Sequence, residues 1–271
     1  MIALVRGGGD LASGVVLRLH RAGCGVVVTE LAQPLVVRRW VSFAEAVFRG
    51  RFVVEGVAAQ RAANADEARA VIDRGEVAVL IDPAAACRHA LQPAVIVDAR
   101  MLKRAPDLGR DAAPLVIGLG PGFAAGENCH AVIETMRGHT LGRVFWTGAA
   151  EPDSGVPESV AERRSERVLR APADGVLRNR VDIGAHLAAG DLIATVGEAE
   201  LRAPFKGVLR GLLHDGLPVT HQLKIGDLDP RDDERYCTLV SDKSLAVGGA
   251  VLEAVLSRPE IRRSLIGLYG E

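Results

Sequence analysis

The chain has 271 residues, which is long enough for two domains, and its 48% hydrophobic and 25% charged residues are those of a globular protein. Its formal net charge of -1 gives no field that would attract nucleic acid or an anionic membrane, and 4% aromatic residues argue against a surface that stacks bases. The apolar runs are too short to cross a bilayer, no secretory signal is visible, and the cysteines are widely scattered. We therefore expect a cytoplasmic protein that binds neither membranes nor nucleic acid.

The first 150 residues alternate short apolar runs with helical patterns. Strands are predicted at residues 2–6, 26–30, 77–81, 94–98, 115–118, 131–134 and 143–146, and helices at residues 10–22, 43–48 and 65–74. Apolar strands that alternate with helices are typical of a parallel sheet whose two faces are both covered. The pattern predicts an α/β domain, residues 1–150, built on a Rossmann-like, mostly parallel sheet.

A glycine-rich turn, Gly-Gly-Gly-Asp-Leu-Ala at residues 7–12, lies between the first predicted strand and the first predicted helix. It fits the G-x-G-x-x-G/A fingerprint of dinucleotide-binding folds, whose glycines let the backbone approach a pyrophosphate at the helix N-terminus. Glu30 ends the second predicted strand, where such folds place an acid for a ribose hydroxyl. The candidate nucleotide-binding residues are Gly7, Gly8, Gly9, Asp10 and Glu30. In the alternative interpretation, the glycines only pack the helix on the sheet.

Two polar clusters end or follow later predicted strands. The first consists of Asp98, Arg100 and Lys103, and the second of Glu134, Arg137 and His139. Ligands of open α/β sheets bind at the carboxyl ends of the strands, so these side chains would line one cleft. An arginine there suits a phosphate, and the second cluster offers an acid, an anion clamp and a proton shuttle. The alternative is that each cluster is a buried ion pair, with Glu134 bound to Arg137 in the second.

The loop at residues 118–123 contains Gly118, Gly120 and Gly122, which either let a ligand approach the backbone or force a turn. Cys129, His130 and His139 are metal-binding residue types, but the sequence places no full set of ligands. We therefore expect no metal. No G-x-S-x-G elbow of a serine hydrolase occurs, and the sequence assigns no catalytic residue.

Two octets in the C-terminal half are near copies of each other. They are Ala-Pro-Ala-Asp-Gly-Val-Leu-Arg at residues 171–178 and Ala-Pro-Phe-Lys-Gly-Val-Leu-Arg at residues 203–210. Such a repeat describes two copies of one supersecondary unit, each with strand and turn patterns but too small to bury a core. The copies are expected to interleave into a compact barrel at residues 168–231, which resembles the barrel-sandwich hybrid of biotinyl and lipoyl carrier domains.

Carrier domains of that kind hold their prosthetic group on a lysine in the hairpin between the halves. The corresponding hairpin here, residues 196–201, has no lysine, so the module is predicted to be a non-carrier. The repeat also favours a turn glycine near His221 and Gln222, where none occurs, so that loop is expected to be built differently. A polar linker is predicted at residues 151–167, and residues 232–271 are predicted to form a helical segment that packs back on the α/β domain.

Five motifs together resemble the accessory proteins of selenium-dependent molybdenum hydroxylase systems. They lie at residues 6–14, 97–101, 118–123, 132–143 and 224–231. The resemblance implies a maturation factor that binds a nucleotide, either NAD(P)-like or a molybdopterin nucleotide, and docks on an apo-molybdenum hydroxylase. It implies no catalytic residues.

Two other functions remain open on the sequence. One is an NAD(P)-dependent oxidoreductase that uses the same glycine turn, and the other is a non-catalytic assembly scaffold. The chain lacks a Tyr-x-x-x-Lys pair, which disfavours one large class of dehydrogenases but not the others.

Overall fold

The computed structural model describes residues 1–102, 104–152 and 166–266. Lys103 of the first polar cluster and residues 153–165 of the predicted linker lie outside the described residues. The chain divides into two compact units. The first comprises Met1–Ala32, Phe43–Asp153 and Val240–Glu271, and the second comprises Gln33–Ser42 and Ser154–Leu239. Residues 33–42, which the sequence places in the α/β domain, thus belong to the second unit.

The first unit alternates strands and helices along most of its length. Its elements up to residue 149 are β1 (Ile2–Arg6), α1 (Asp10–Arg21), β2 (Gly25–Glu30), α2 (Glu45–Arg49), β3 (Arg51–Val54), β4 (Val57–Ala62), α3 (Ala65–Asp73), β5 (Val77–Ile81), α4 (Arg88–Leu91), β6 (Val95–Asp98), β7 (Leu115–Leu119), β8 (Ala124–Ala125), β9 (Ala131–Ile133), β10 (Val144–Phe145) and β11 (Gly148–Ala149). A short 3-10 helix at Arg110–Ala112 precedes β7.

Nine of the described strands form one sheet in the order β10-β9-β7-β6-β1-β2-β5-β4-β3. The seven inner strands are parallel to one another, and β3 and β10 are antiparallel at the two edges. The order reverses at β1, which has β2 on one side and β6 on the other. The central strands consist almost entirely of buried apolar residues, as parallel strands covered on both faces require. The predicted α/β class with a large, mostly parallel sheet is confirmed.

The hairpin of β3 and β4 is absent from the sequence prediction. Its turn consists of Glu55 and Gly56, with φ of 43° and 81°. Two-residue hairpin turns of this kind need positive φ at both positions, where Asn or Asp usually precedes the glycine. Because Glu55 occupies the first position, the sequence lacks the Asn-Gly or Asp-Gly pattern by which such a turn is recognised.

The second unit is built from short antiparallel strands. They are β12 (Val168–Arg170), β13 (Gly175–Asn179), β14 (His186–Leu187), β15 (Leu192–Val196), β16 (Ala199–Arg202), β17 (Gly207–Leu212), β18 (Pro218–Val219) and β19 (Lys224–Asp229), followed by helix α5 (Arg235–Thr238). They form two four-stranded sheets, β12-β19-β17-β14 and β16-β15-β13-β18. Strands β12 to β15 belong to the first copy of the repeat and β16 to β19 to the second. Each sheet therefore takes two strands from each copy, and exchanging the copies converts one strand order into the other.

The loop that lacks a glycine keeps the turn of its counterpart. Gln222 has φ of 67°, and Gly190, its equivalent in the first copy, has φ of 91°. The N–H of Gln222 donates to the carbonyl of Ala171, as that of Gly190 donates to the carbonyl of Ala203. The expectation of a differently built loop is wrong, because the glutamine adopts the left-handed conformation that glycine adopts in the first copy.

Helices α6 (Asp242–Leu256) and α7 (Pro259–Ile266) belong to the first unit, and α6 packs against α1. Two glycines set their separation. A Cβ added to Gly14 of α1 would overlap the main chain of Ser244, and one added to Gly248 of α6 would overlap that of Gly14. None of the described helices could span a bilayer, since α6, the longest of them, has 15 residues.

Replacing Gly14 with alanine should destabilise the protein, because the new Cβ would overlap the main chain of α6. Overpacking of this kind costs about 1–3 kcal/mol. Gly249→Ala is the matched control, since a Cβ there meets nothing within 4 Å and alanine favours a helix over glycine by about 1 kcal/mol. Chemical denaturation measures both free energies of unfolding. Equal stability of the two variants would show that Gly14 does not set the spacing of the helices.

Candidate functional site

The glycine turn joins β1 to α1 at the point where the strand order reverses. Gly7 has φ of 90°, a conformation that favours glycine, and its N–H donates to the carbonyl of Thr29 on β2. The carbonyl of Gly8 accepts from the N–H of Ala44, and a Cβ on Gly8 would lie 2.8 Å from that nitrogen. Glycine is therefore favoured at position 7 by its backbone conformation and at position 8 by the close approach of Ala44.

Gly9 and Asp10 form the start of α1. Gly9 is the N-cap residue, with φ of -71° and no side-chain capping hydrogen bond. The first N–H groups of a helix lack intrahelical partners and carry the positive end of its dipole. Asp10 is held by α6, because its Oδ1 accepts a hydrogen bond from the hydroxyl of Ser244 at 3.2 Å. The N-terminus of α1 thus offers main-chain N–H donors, and no side chain of its N-cap residue, Gly9, accepts from them.

Glu30 ends β2 and binds the glycine turn directly. Its Oε1 accepts from the N–H of Gly8 at 2.7 Å, and its Oε2 accepts from the N–H of Leu31 at 2.8 Å. Burial raises the pKa of Glu30, and the two N–H donors oppose that rise. The structure therefore brings the predicted acid beside the predicted turn.

Two arginines and two aspartates, Arg6, Asp98, Arg100 and Asp107, form a network that we call the arginine–aspartate cluster. Arg6 is the last residue of β1, with a side chain 1% exposed, and donates to Asp107 at 2.6 and 2.9 Å, to Asp98 at 3.3 Å and to the carbonyl of Pro83 at 3.0 Å. Arg100 binds both oxygens of Asp98, at 2.9 and 2.6 Å, and Oδ1 of Asp107 at 2.5 Å. The cluster joins the carboxyl ends of β1 and β6 to the loop before β7.

The cluster shifts the pKa values of Asp107 and Arg100 in the directions that keep both charged, and it adjoins the glycine turn. Hydrogen bonds from Arg6 and Arg100 hold the pKa of Asp107 well below its usual range. Burial lowers the pKa of Arg100, but its bonds to the two aspartates outweigh this and leave that pKa raised. A Cβ on Gly7 would lie 3.4 Å from Cγ of Arg100, so the stem of this arginine lies against the turn.

Three glycines at the end of β7 and in the loop that follows it lie close to other parts of the protein. Gly118 pairs with Asp98 in the sheet, and a Cβ on it would overlap the ring of Phe123. Gly120 and Gly122 have φ of 69° and 99°, so both favour glycine. A Cβ on Gly122 would lie 2.7 Å from the carbonyl oxygen of Arg104. The sequence leaves two explanations for these glycines, approach of a ligand to the backbone or a forced turn. The positive φ values and close contacts support the forced turn.

The second polar cluster is divided among different partners. Glu134 is buried, and its carboxylate accepts from the N–H groups of Thr135, Met136 and Glu151 at 2.7, 2.7 and 2.8 Å. Arg137 forks onto Asp242 of α6, with both distances 2.7 Å. The Glu134–Arg137 ion pair considered from the sequence is therefore wrong. His139 is exposed, and its carbonyl accepts a hydrogen bond from Arg143 within the same loop.

Cys129 and His130 have structural surroundings. Burial raises the pKa of the Cys129 thiol to about 11 and lowers the pKa of His130, whose Nδ1 accepts from the N–H of Val116. Among residues 1–102, 104–152 and 166–266, no group of three or more metal-binding side chains is placed to hold an ion.

The charged motif at the end of the repeat serves the second unit. Asp227, which is buried, is paired with Arg167 at 2.6 Å and with Arg210 at 2.5 Å, and Asp229 is paired with Arg210 at 2.9 Å and Arg231 at 2.6 Å. These bonds fix β19 to the strands and loop around it. The motif thus has a structural explanation within the described residues.

Arg6 and Asp107 are central to the cluster, but the sequence does not identify them as candidate site residues. Arg6 was detectable in principle, because it places a charge at the end of an otherwise apolar strand directly before the glycine turn. A buried charge needs a partner, which marks such a position for attention. Asp107 lies in an irregular loop and carries no comparable signal.

Comparisons with known proteins give one close sequence relative. The chain is 48% identical over 255 residues to the uncharacterized protein YqeB of Escherichia coli K12, which covers 94% of this chain and 47% of that protein. The chain therefore spans about half the length of the curated relative it matches. No family model matches the chain.

Two solved structures show a distant likeness. One is an aspartoacylase family protein from Mesorhizobium loti, with 11% identity, 84% of this chain and 83% of that chain covered, and a TM-score of 0.26. The other is a succinylglutamate desuccinylase from Silicibacter sp. TM1040, with 15% identity, 84% of each chain covered, and a TM-score of 0.26. These scores are too low to carry a fold or functional argument.

Glu134 is buried and bound to backbone N–H groups, whereas Arg137 pairs with Asp242 at the surface, and this difference predicts different losses of stability. Glu134→Gln keeps the volume but turns an NH₂ group toward backbone N–H donors, which should cost about 1–3 kcal/mol. Arg137→Ala should cost about 1 kcal/mol or less, because its pair with Asp242 is exposed, with side chains 42% and 76% accessible. Thermal and urea unfolding of both variants measure these costs. A larger loss in Arg137→Ala than in Glu134→Gln would contradict the assignment of partners.

Proposed function

We propose that this chain is a nucleotide-binding accessory protein that acts in the cytoplasm in the maturation of a molybdenum hydroxylase. The observation that carries the nucleotide site is the glycine turn at the reversal of strand order. The order β5-β2-β1-β6-β7-β9 supports the proposal of a doubly wound, Rossmann-like sheet, and ligands of such sheets bind where the order reverses. On this proposal a phosphate of an NAD(P)-like or molybdopterin nucleotide lies at the N-terminus of α1.

The residues around the turn suit a nucleotide chemically. The uncapped N-terminus of α1 offers main-chain donors to a phosphate, and Arg100 adds a positive charge beside Gly7. The carboxylate of Glu30 accepts two N–H groups and has room for further hydrogen bonds, because a carboxylate offers about four lone-pair sites. Glu30 would then bind a ribose hydroxyl without releasing the turn.

The maturation role rests on the resemblance of the five motifs, which lie in both units. The second unit is proposed to be a barrel-sandwich hybrid, which its interleaved sheets support. The hairpin between β15 and β16 contains no lysine, so this module would dock on an apo-molybdenum hydroxylase rather than carry a prosthetic group. The alternatives, an NAD(P)-dependent oxidoreductase and a non-catalytic scaffold, give different outcomes in the experiments below.

Gly9→Val should weaken nucleotide binding by about tenfold or more, because a branched side chain at the N-cap would hinder the approach of a phosphate to its charge-assisted donors. The fold should survive, since φ of -71° at Gly9 is open to any residue. Calorimetry with NAD⁺, NADP⁺ and CTP measures the affinity, with Gly249→Val on α6 as the control. If Gly9→Val and the wild type bind all three equally, the nucleotide site lies elsewhere.

Co-expression with a molybdenum hydroxylase separates the candidate functions. A nucleotide-dependent maturation factor predicts that Gly9→Val lowers the molybdenum content and active fraction of the hydroxylase, while Gly249→Val does not. A scaffold predicts full maturation by both variants. An oxidoreductase predicts turnover of the nicotinamide cofactor by the purified chain, with no dependence of the hydroxylase on it.

A further inference from the structure

Asp107 is the most exposed member of the arginine–aspartate cluster. Its side chain is 56% exposed, whereas those of Arg6, Asp98 and Arg100 are 1%, 5% and 19% exposed. Both of its oxygens accept from Arg6, at 2.6 and 2.9 Å. This forked geometry is the one that arginine also offers to phosphate. Asp107 thus fills a position that an external anion would fit.

Arg6 also has a donor that the protein leaves unused. Its Nε is buried and has no hydrogen-bond partner among the residues that the structure describes. A buried donor without a partner is costly, and such groups are rare in native proteins. A phosphate in place of Asp107 would bind the same Nη1 and Nη2 edge of Arg6 and could accept from Arg100 as well, because it has more acceptor oxygens than a carboxylate.

We propose that Arg6 and Arg100 form an anion-binding site in which Asp107 is a built-in substitute, and that a phosphate of the bound nucleotide displaces it. This inference rests on the proposed function, because Arg100 lies against the glycine turn that would hold the nucleotide. Displacement releases the segment at residues 104–114 from Arg6 and Arg100 and couples nucleotide binding to the position of that segment.

The other acids near Arg6 are held more firmly than Asp107 and are harder for an anion to displace. Asp98 is buried at the end of β6 and held by a fork from Arg100. Burial alone would raise the pKa of Asp82, but the hydrogen bond from the N–H of Cys87 at 2.7 Å and the nearby charge of Arg6 lower it. Asp107 instead lines a cleft of about 650 Å³, so its carboxylate passes into water when it is displaced.

Calorimetry with inorganic pyrophosphate at constant ionic strength tests the proposal on the full chain. Asp107→Ala should bind pyrophosphate about tenfold or more tightly than the wild type, because the competing carboxylate is gone. Asp111→Ala is the matched control, since Asp111 is an exposed acid that lines the same cleft. Adding Arg100→Gln to Asp107→Ala should abolish the gain. Equal affinity of the wild type, Asp107→Ala and Asp111→Ala would overturn the proposal.

A folding defect in Asp107→Ala is also informative, because the substitution strands the charge of Arg6. In that case pyrophosphate should restore its melting temperature but not change that of Asp111→Ala. Failure of pyrophosphate to restore it would overturn the inference.

The Gly9→Val experiment keeps the two proposals distinct. If Gly9→Val loses nucleotide binding but Asp107→Ala gains no pyrophosphate affinity, the nucleotide site stands and this inference fails. If Asp107→Ala gains affinity but Gly9→Val binds nucleotides normally, the anion site stands and the nucleotide site at the turn fails.

Discussion

The buried guanidinium of Arg6 is the constraint on which the carboxyl edge of the sheet depends. It lies at the end of β1, between two parallel neighbours, where an uncompensated charge would cost several kcal/mol. Its partners come from different parts of the chain: Asp98 from β6, the carbonyl of Pro83 from the loop after β5, and Asp107 from the loop before β7. One charge therefore fixes several connections at the place where the strand order reverses.

The position of α1 depends on a second constraint, the close approach of backbones. At its start, Gly8 lies against Ala44, and one turn later Gly14 lies against the main chain of α6. The hydrogen bond from Ser244 to Asp10 joins α6 to the first turn of α1. The N-terminus of α1, and with it the proposed phosphate site, is thus positioned by a helix more than 230 residues away in sequence. The local glycine pattern predicts the turn, but packing against a distant part of the sequence determines the position of α1.

The sequence predicts what local periodicity encodes, namely the central parallel strands, α1, α6 and the two-copy repeat. Turns are missed where a non-glycine residue adopts the left-handed conformation, as Glu55 and Gln222 do. Ion pairs are missed for a different reason. Arg6 ends a predicted strand, and only the order of the strands in the sheet shows which charges lie around it. Glu134 and Arg137 are close in sequence on one loop, but they bind different segments. Spacing alone does not reveal which strands become neighbours, so it does not reveal which charges meet.

Charge balance at this edge limits how an anion can bind there. Among the described residues, the acids Glu30, Asp82, Asp98 and Asp107 lie around the glycine turn or the two arginines of the cluster, in addition to Asp10 in the turn itself, so an incoming phosphate meets acids as well as arginines. Glu30 and Asp82 are tied to backbone N–H groups, and Asp98 is buried under the fork from Arg100. Among the described residues, Asp107 is bound by the guanidinium groups of Arg6 and Arg100, and it reaches solvent. In the proposed anion site, exchange with Asp107 is therefore the route of least electrostatic cost for a phosphate, because it keeps each arginine paired while moving one acid away from the edge.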